Sequence, residues 1–253
     1  MSSTAVITGA SSGIGAAFAK AFASLGHSLL LQGRREPELA SLCASLARDH
    51  GVRAEYVLAE LSHADELAAL ERRLQDLPDL EVLVNNAGFG SQSRFQSEDI
   101  GVTEQMIRVH ILASVRLAHA AIPAMKRRNH GTIINVSSVA AFMVAPRNNT
   151  YCATKLYLNS FSESLALELR NDGIKVQALC PGFTKTDFHR RLGVQPKGYG
   201  MKFMTPEEVV QASLSALRTG QVVCIPKLKY KFAVLAARLL PRPWMYALAR
   251  RLG

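Results

Sequence analysis

Thr4-Ala5-Val6-Ile7-Thr8-Gly9-Ala10-Ser11-Ser12-Gly13-Ile14-Gly15 is the stretch whose reading decides the fold. An apolar run from Thr4 to Thr8 has the character of a buried strand, and it enters a turn carrying Gly9, Gly13 and Gly15. Beyond the turn, Ile14, Phe18, Phe22 and Leu25 recur on one face of a helix, so the unit reads as strand, glycine turn, helix. The glycines have separate tasks. Gly9 permits the tight turn, Gly13 lets backbone amides approach a pyrophosphate, and Gly15 allows close packing of helix on strand. With Ser11, Ser12 and Ile14 between them, they would hold that anion at the positive end of the helix dipole. The spacing is GxxxGxG, which departs from the commoner GxGxxG of dinucleotide-binding turns.

A second strand, Ser28 to Gln32, ends at Gly33-Arg34-Arg35. In dinucleotide folds an acidic residue about 20 positions past the glycine turn holds the ribose 2′-hydroxyl, whereas an arginine suits a 2′-phosphate. Arg34 and Arg35 occupy that position and favour NADP(H) over NAD(H). Glu36 is the competing ribose ligand, but it precedes Pro37 and suits the first turn of the next helix.

The alternation then repeats. A helix to about His50, a strand from Arg53 to Leu58, a helix from His63 to Gln75 and a strand from Glu81 to Asn85 predict a parallel sheet covered on both faces. The runs Val82 to Asn85 and Thr132 to Val136 are nearly all apolar, as central parallel strands are. They end in Asn85-Asn86-Ala87-Gly88 and Asn135-Val136-Ser137-Ser138. Ligands of such sheets bind beyond the carboxyl ends of the strands.

Tyr151-Cys152-Ala153-Thr154-Lys155 places a phenol and an ammonium on one helical face. A free phenol has a pKa near ~10, and a neighbouring cation stabilises its anion. The spacing therefore predicts a general acid/base whose pKa Lys155 lowers. By itself the pair is common on solvated helices; the motifs around it give it meaning.

The chain resembles the short-chain dehydrogenase/reductase family from Thr4 to about Ile225. The matching motifs are Thr8-Gly9-x-x-x-Gly13-Ile14-Gly15, Asn85-Asn86-Ala87-Gly88, Ser138 thirteen residues before the tyrosine, Tyr151-x-x-x-Lys155, and Pro181-Gly182. The resemblance implies an α/β Rossmann-type, doubly wound parallel sheet of seven strands in the order 3-2-1-4-5-6-7, with hydride transfer at its carboxyl ends. It implies that Tyr151 exchanges a proton with a carbonyl or alcohol oxygen, that Ser138 hydrogen-bonds that oxygen, and that Lys155 lowers the tyrosine pKa and holds the nicotinamide ribose. Asn86 and Gly88 would line the adenine-ribose side, and Pro181, Gly182 and Thr184 would close over the nicotinamide. Two positions depart from the family pattern. His110 stands where an asparagine usually supports a water relay to the lysine, and is either a relay member or a helix-interface histidine. Glu60-Leu61 replaces an aspartate that often contacts adenine.

Composition fits this reading. A chain of 253 residues with 48% hydrophobic and 20% charged residues suits one large globular domain. No run reaches the roughly 18 apolar residues of a membrane span, and the expectation is a cytoplasmic protein. Cys43, Cys152, Cys180 and Cys224 are scattered, which predicts buried thiols and neither a metal site nor a disulfide framework.

Residues 1–226 form the expected catalytic domain, including a substrate loop at 183–205. Phe183, Phe188, Met201, Phe203 and Met204, with Phe89, Phe142 and Met143, suggest an apolar pocket for a lipophilic carbonyl substrate. Apolar residues beyond the sheet-facing stripe of helices 103–127 and 150–171, such as Leu112, Leu158, Phe161 and Leu165, suggest a homodimer or homotetramer. Residues 227–253 form a basic extension. The last acidic residue is Glu208, while basic residues continue to Arg251, and Trp244 and Tyr246 suit a membrane interface. The extension is expected as two short helices that either pack on the domain or touch a membrane. The basic tail has no nucleic-acid reader motif, and a catalytically idle cofactor-binding protein would have no need of Ser138, Tyr151 and Lys155 together.

Overall fold

The computed structural model describes residues 3–188 and 203–252. Seven parallel strands are β1 (Thr4–Ile7), β2 (Ser28–Gly33), β3 (Ala54–Leu58), β4 (Leu80–Asn85), β5 (Gly131–Val136), β6 (Ile174–Leu179) and β7 (Val223–Cys224). Their order is β3-β2-β1-β4-β5-β6-β7, as the family resemblance implies. Helices cover both faces: α1 (Gly13–Ser24), α2 (Glu36–His50) and α7 (Pro206–Arg218) on one, α3 (Ala64–Gln75), α5 (Ala113–Arg128) and α6 (Asn149–Glu168) on the other. Each face has its own apolar core, because the alternating side chains of β1, β4 and β5 point both ways. Ile7, Val84 and Ile134 pack beneath Phe18 and Phe22, while Val6, Leu83 and Ile133 pack beneath Leu117 and Met125.

The strand-end asparagines do structural work. Asn85 and Asn135 are register partners on β4 and β5, and Asn85 Nδ2 donates to Asn135 Oδ1 at 2.9 Å. Asn135 Nδ2 in turn donates to Ser162 on α6 at 2.9 Å. Buried amides need partners, so this chain of bonds fixes where α6 lies on the sheet.

The helix expected over 103–127 is in fact three segments. Helix α4 (Ile100–Ile107) runs into one π turn at 108–112 before α5 begins. The extra residue in that turn directs Val109 and His110 inward, where both are buried. Leu158 and Leu165 face the core of their own chain, which corrects their assignment to a subunit contact. The exposed large residues of helices 103–127 and 150–171 are Ile107, Leu112, Leu156, Tyr157 and Leu167. All four cysteines are buried free thiols. Among the described residues no group of His, Cys, Asp and Glu could hold a metal, and no helix is long and apolar enough to cross a membrane.

The basic tail folds as α8 (Leu228–Leu239) and α9 (Arg242–Leu252). Tyr230 and Val234 of α8 are buried, and the Tyr230 hydroxyl accepts a hydrogen bond from the Phe183 backbone N–H at 3.1 Å. A β-carbon at Gly182 would overlap the Tyr230 ring, so this glycine is what lets α8 seat.

Candidate active site

The glycine turn is a cradle held from both sides. Gly9 and Gly13 have φ of 62° and 57°, the left-handed region that favours glycine. A β-carbon on Gly15 would overlap the Gly9 carbonyl oxygen and the Asn86 amide nitrogen. Asn86 Nδ2 donates to the Thr8 and Gly9 carbonyls at 2.9 and 3.1 Å, and Thr8 Oγ1 accepts from the Asn86 and Ala87 N–H groups. Asn86 thus spends its amide on the turn. From the other side, buried Gln32 accepts from the Gly9 N–H at 3.1 Å and donates to the Ala59 carbonyl at 2.6 Å, tying the ends of β1, β2 and β3. Ser12 caps α1 without a side-chain bond, so the first-turn amides lack a side-chain acceptor beside the cavity that Gly13 and Ile14 line.

Both arginines after β2 line the same cavity. Arg34 Nη1 lies 2.8 Å from Glu60 Oε2, and Arg35 donates to Ser11 Oγ through Nη2 at 3.0 Å. Arg34 and hydrogen bonds from Ser62 hold the Glu60 carboxyl below the usual range, although burial opposes them. Glu36 accepts a hydrogen bond from Tyr56 at 3.0 Å, on the side of α2 turned toward β3.

Helix α6 brings Tyr151 and Lys155 to the carboxyl end of β5. The Lys155 ammonium lies 5.7 Å from the Tyr151 ring centroid and donates to the Val136 carbonyl at 2.8 Å. Ser138 Oγ accepts from the Ala140 N–H at 3.1 Å and lies close enough to the Tyr151 phenol to favour its anion. Tyr151 keeps part of its surface accessible, yet burial pushes the phenol up to about 12, against the opposing pull of Ser138. Burial also pushes Lys155 down to about 8. This corrects the expectation that Lys155 lowers the tyrosine pKa. Desolvation acts against the charged form of both groups and is the largest cause of each shift.

His110 is fully buried beside this pair. Its Nε2 accepts from the Phe89 N–H at 3.0 Å and its Nδ1 lies 2.9 Å from Thr154 Oγ1. The Thr154 hydroxyl donates to the Tyr151 carbonyl, which leaves it an acceptor for Nδ1–H and assigns the tautomer. Burial, and then the Lys155 charge, hold the imidazole well below the ordinary histidine range, so it is neutral. Gly88 lies against His110 Nε2 and the Lys155 ammonium.

One cavity of about 750 Å³ joins the glycine turn, both arginines, Asn86, Gly88, Ser138, Tyr151, Lys155, Pro181, Gly182 and Thr184. Its volume, the amides at the start of α1 and the two arginines in its lining fit a nicotinamide dinucleotide. The short chain dehydrogenase family model matches residues 3–196. The chain belongs to the short-chain dehydrogenase family. As such it is an oxidoreductase acting on alcohol or carbonyl groups. A short-chain dehydrogenase from Sphingobium yanoikuyae, solved in complex with NADPH, superimposes with a TM-score of 0.86 at 35% identity, covering 93% of each chain. The bulky-bulky ketone specific alcohol dehydrogenase from Comamonas testosteroni does so with a TM-score of 0.80 at 30% identity, covering 99% of this chain and 92% of that one. The 3-oxoacyl-[acyl-carrier-protein] reductase of Rickettsia bellii is 32% identical over 222 residues, 83% of this chain and 86% of that one.

In this short-chain dehydrogenase the apolar pocket differs from the one expected. Phe89, Met143, Phe183 and Phe188 line it, and Phe188 lies against Tyr151 with ring centroids 5.6 Å apart. Phe203 and Met204 are buried instead: Phe203 packs on Phe183, and Met204 joins the core under β6. Phe142 lies beneath the Arg238 guanidinium, outside the cavity. Met201 falls outside the described residues. Sequence patterns mark Gln32 only as the end of a strand, and they place Tyr230, Ala233 and Val234, which form a cavity wall, within the basic extension. The signal for Tyr230 and Val234 was their shared face of a helix.

Proposed function

We propose that this chain is an NADP(H)-dependent reductase that converts a lipophilic ketone or aldehyde to its alcohol, and runs the reverse reaction on the same residues. The observation that carries the reading is that Ser138, the Tyr151 phenol and the Lys155 ammonium line one cavity with the glycine turn, with Lys155 5.7 Å from the Tyr151 ring centroid. A phenol pushed up to about 12 holds its proton at neutral pH, as a donor to a carbonyl oxygen must. Ser138 gives the same oxygen a second hydrogen bond as negative charge develops there. Lys155, anchored on the Val136 carbonyl, stabilises the phenolate that remains. The bound dinucleotide supplies the hydride. Its pyrophosphate suits the amides at the start of α1, and its 2′-phosphate suits Arg34 and Arg35, since Glu36 is engaged by Tyr56. His110, with both ring nitrogens occupied, serves as a brace for Phe89 and the tyrosine helix and relays no proton.

Two relatives support the reading in part: one was solved with NADPH and another is specific for bulky-bulky ketones. Phe89, Met143, Phe183 and Phe188 supply the apolar wall a bulky substrate needs. Assembly as a homodimer or homotetramer accompanies this reading, with exposed Leu112, Leu156 and Tyr157 as the contact. The test is NADPH oxidation against long-chain, bulky and short polar ketones, with Tyr151→Phe as the control. Undiminished turnover in Tyr151→Phe would remove the mechanism, and preference for small polar ketones would remove the lipophilic substrate.

A further inference from the structure

Helix α8 has two apolar faces pointing in opposite directions. At about 100° per residue, Tyr230, Val234 and Ala237 share the inner side, which packs on the domain. Leu228, Phe232, Leu235 and Leu239 share the outer side and are 69%, 67%, 52% and 74% exposed. Lys231 and Arg238 project from one flank of that outer stripe and Lys229 from the other. Helix α9 adds Trp244 at 70% exposure and Tyr246 at 43%, with Arg242 and Arg250 exposed beside them. An apolar stripe edged by cations and followed by exposed aromatic residues is the pattern of a helix lying in a lipid headgroup layer.

Charge selects the occupant of this surface. The sequence carries no carboxylate side chain after Glu208, so every charged side chain on α8 and α9 is cationic. A second copy docked face to face would set Lys231 and Arg238 against their own counterparts with nothing in either segment to neutralise them. Anionic lipid provides what both parts of the surface require, acyl chains for the stripe and phosphates for its flanks. The inner residues Tyr230, Ala233 and Val234, with Lys229 from the flank, meanwhile line the cavity, and Arg238 anchors α8 over Phe142. Next along the chain, Met143 lines the same cavity and, like Val144, is nearly half exposed.

We propose that α8 and α9 dock this protein on an anionic lipid surface, with α8 as the wall shared by membrane and cavity, so that substrate enters from the acyl layer. The entry route rests on the lipophilic-substrate reading above; the docking itself does not. The experiment floats the full chain with phosphatidylcholine vesicles, with and without phosphatidylglycerol. It compares the parent with a Phe232→Ser, Leu235→Ser, Leu239→Ser variant and with Lys231→Glu. The parent should float only with phosphatidylglycerol and be released by salt, and each variant should bind at least about tenfold more weakly. Turnover of a short soluble ketone should be equal in all three proteins, since none of these side chains lines the cavity. Phosphatidylglycerol vesicles should lower KM for a long-chain ketone in the parent alone. Absence of flotation, flotation unchanged by the substitutions, or a dimer that the triple substitution dissociates would overturn the docking proposal. Flotation without any ketone turnover would instead sink the proposed activity and leave the docking surface standing.

Discussion

The Nδ1 atom of His110 lies 2.9 Å from Oγ1 of Thr154, one hydrogen bond away from the backbone carbonyl of Tyr151. Through its other nitrogen the same ring holds the Phe89 N–H. His110 therefore joins the loop after β4 to the helix that carries the phenol, using both of its hydrogen-bonding positions. On the proposed reading this neutral imidazole, bonded on both sides, is a positioning residue.

His110→Asn should therefore lower stability by about 1–3 kcal/mol, since the shorter amide cannot span both partners, and urea denaturation measures this. The pH profile of kcat should keep its shape. A shifted inflection would mean that the ring exchanges protons during turnover.

Tyr151→Phe should reduce kcat by about 10²–10⁴-fold, the usual scale for loss of a general acid. Dinucleotide affinity, followed by fluorescence, should change little, because the cradle around Gly9 and Gly13 is left intact.

Lys155 titrates at about 8 in the folded protein against an ordinary value of 10.5, because burial disfavours the ammonium. Below about 8 both folded and unfolded chains bind this proton, and the full cost of burial is present. Between about 8 and 10.5 only the unfolded chain still binds it, so this group makes stability rise with pH through that window. Lys155→Met should be inactive yet more stable than the parent below the window, by on the order of 3 kcal/mol at most. Subtracting the two stability curves isolates this group from the buried thiols, and a difference that does not shrink from about 8 upward would contradict the assignment.

Arg35→Ala and Arg34→Ala should each raise KM for NADPH by about tenfold or more, the scale of one charge-assisted hydrogen bond, and leave KM for NADH nearly unchanged. Equal losses for the two dinucleotides would show that Arg35 acts on the glycine turn through Ser11, and Arg34 on Glu60, instead of on the 2′-phosphate.

Gly182→Ala places a β-carbon where the Tyr230 ring now lies and should destabilise the protein by about 1–3 kcal/mol. Bulky-substrate KM should rise as α8 shifts. Adding Tyr230→Leu should recover part of the lost stability, because the two sites are in contact, and strict additivity of the two changes would refute that coupling.

The sequence by itself determined the strand, glycine turn and helix at the N-terminus, the parallel sheet and, through the family motifs, the Ser138, Tyr151 and Lys155 set. These are local patterns: apolar periodicity, turn glycines and fixed spacings survive in one dimension because neighbouring residues enforce them. Tertiary structure alone decided the π turn that buries His110 and the hydrogen bonds that occupy both its nitrogens. It also separated Phe203 and Met204, which fill the core, from Phe183 and Phe188, which line the cavity, and it turned Tyr230 of the basic tail into a cavity wall. The expected lowering of the tyrosine pKa failed for the same reason. A spacing of four residues sets two groups on one helical face, but only the packed fold fixes how much water remains around each, and desolvation governed the outcome.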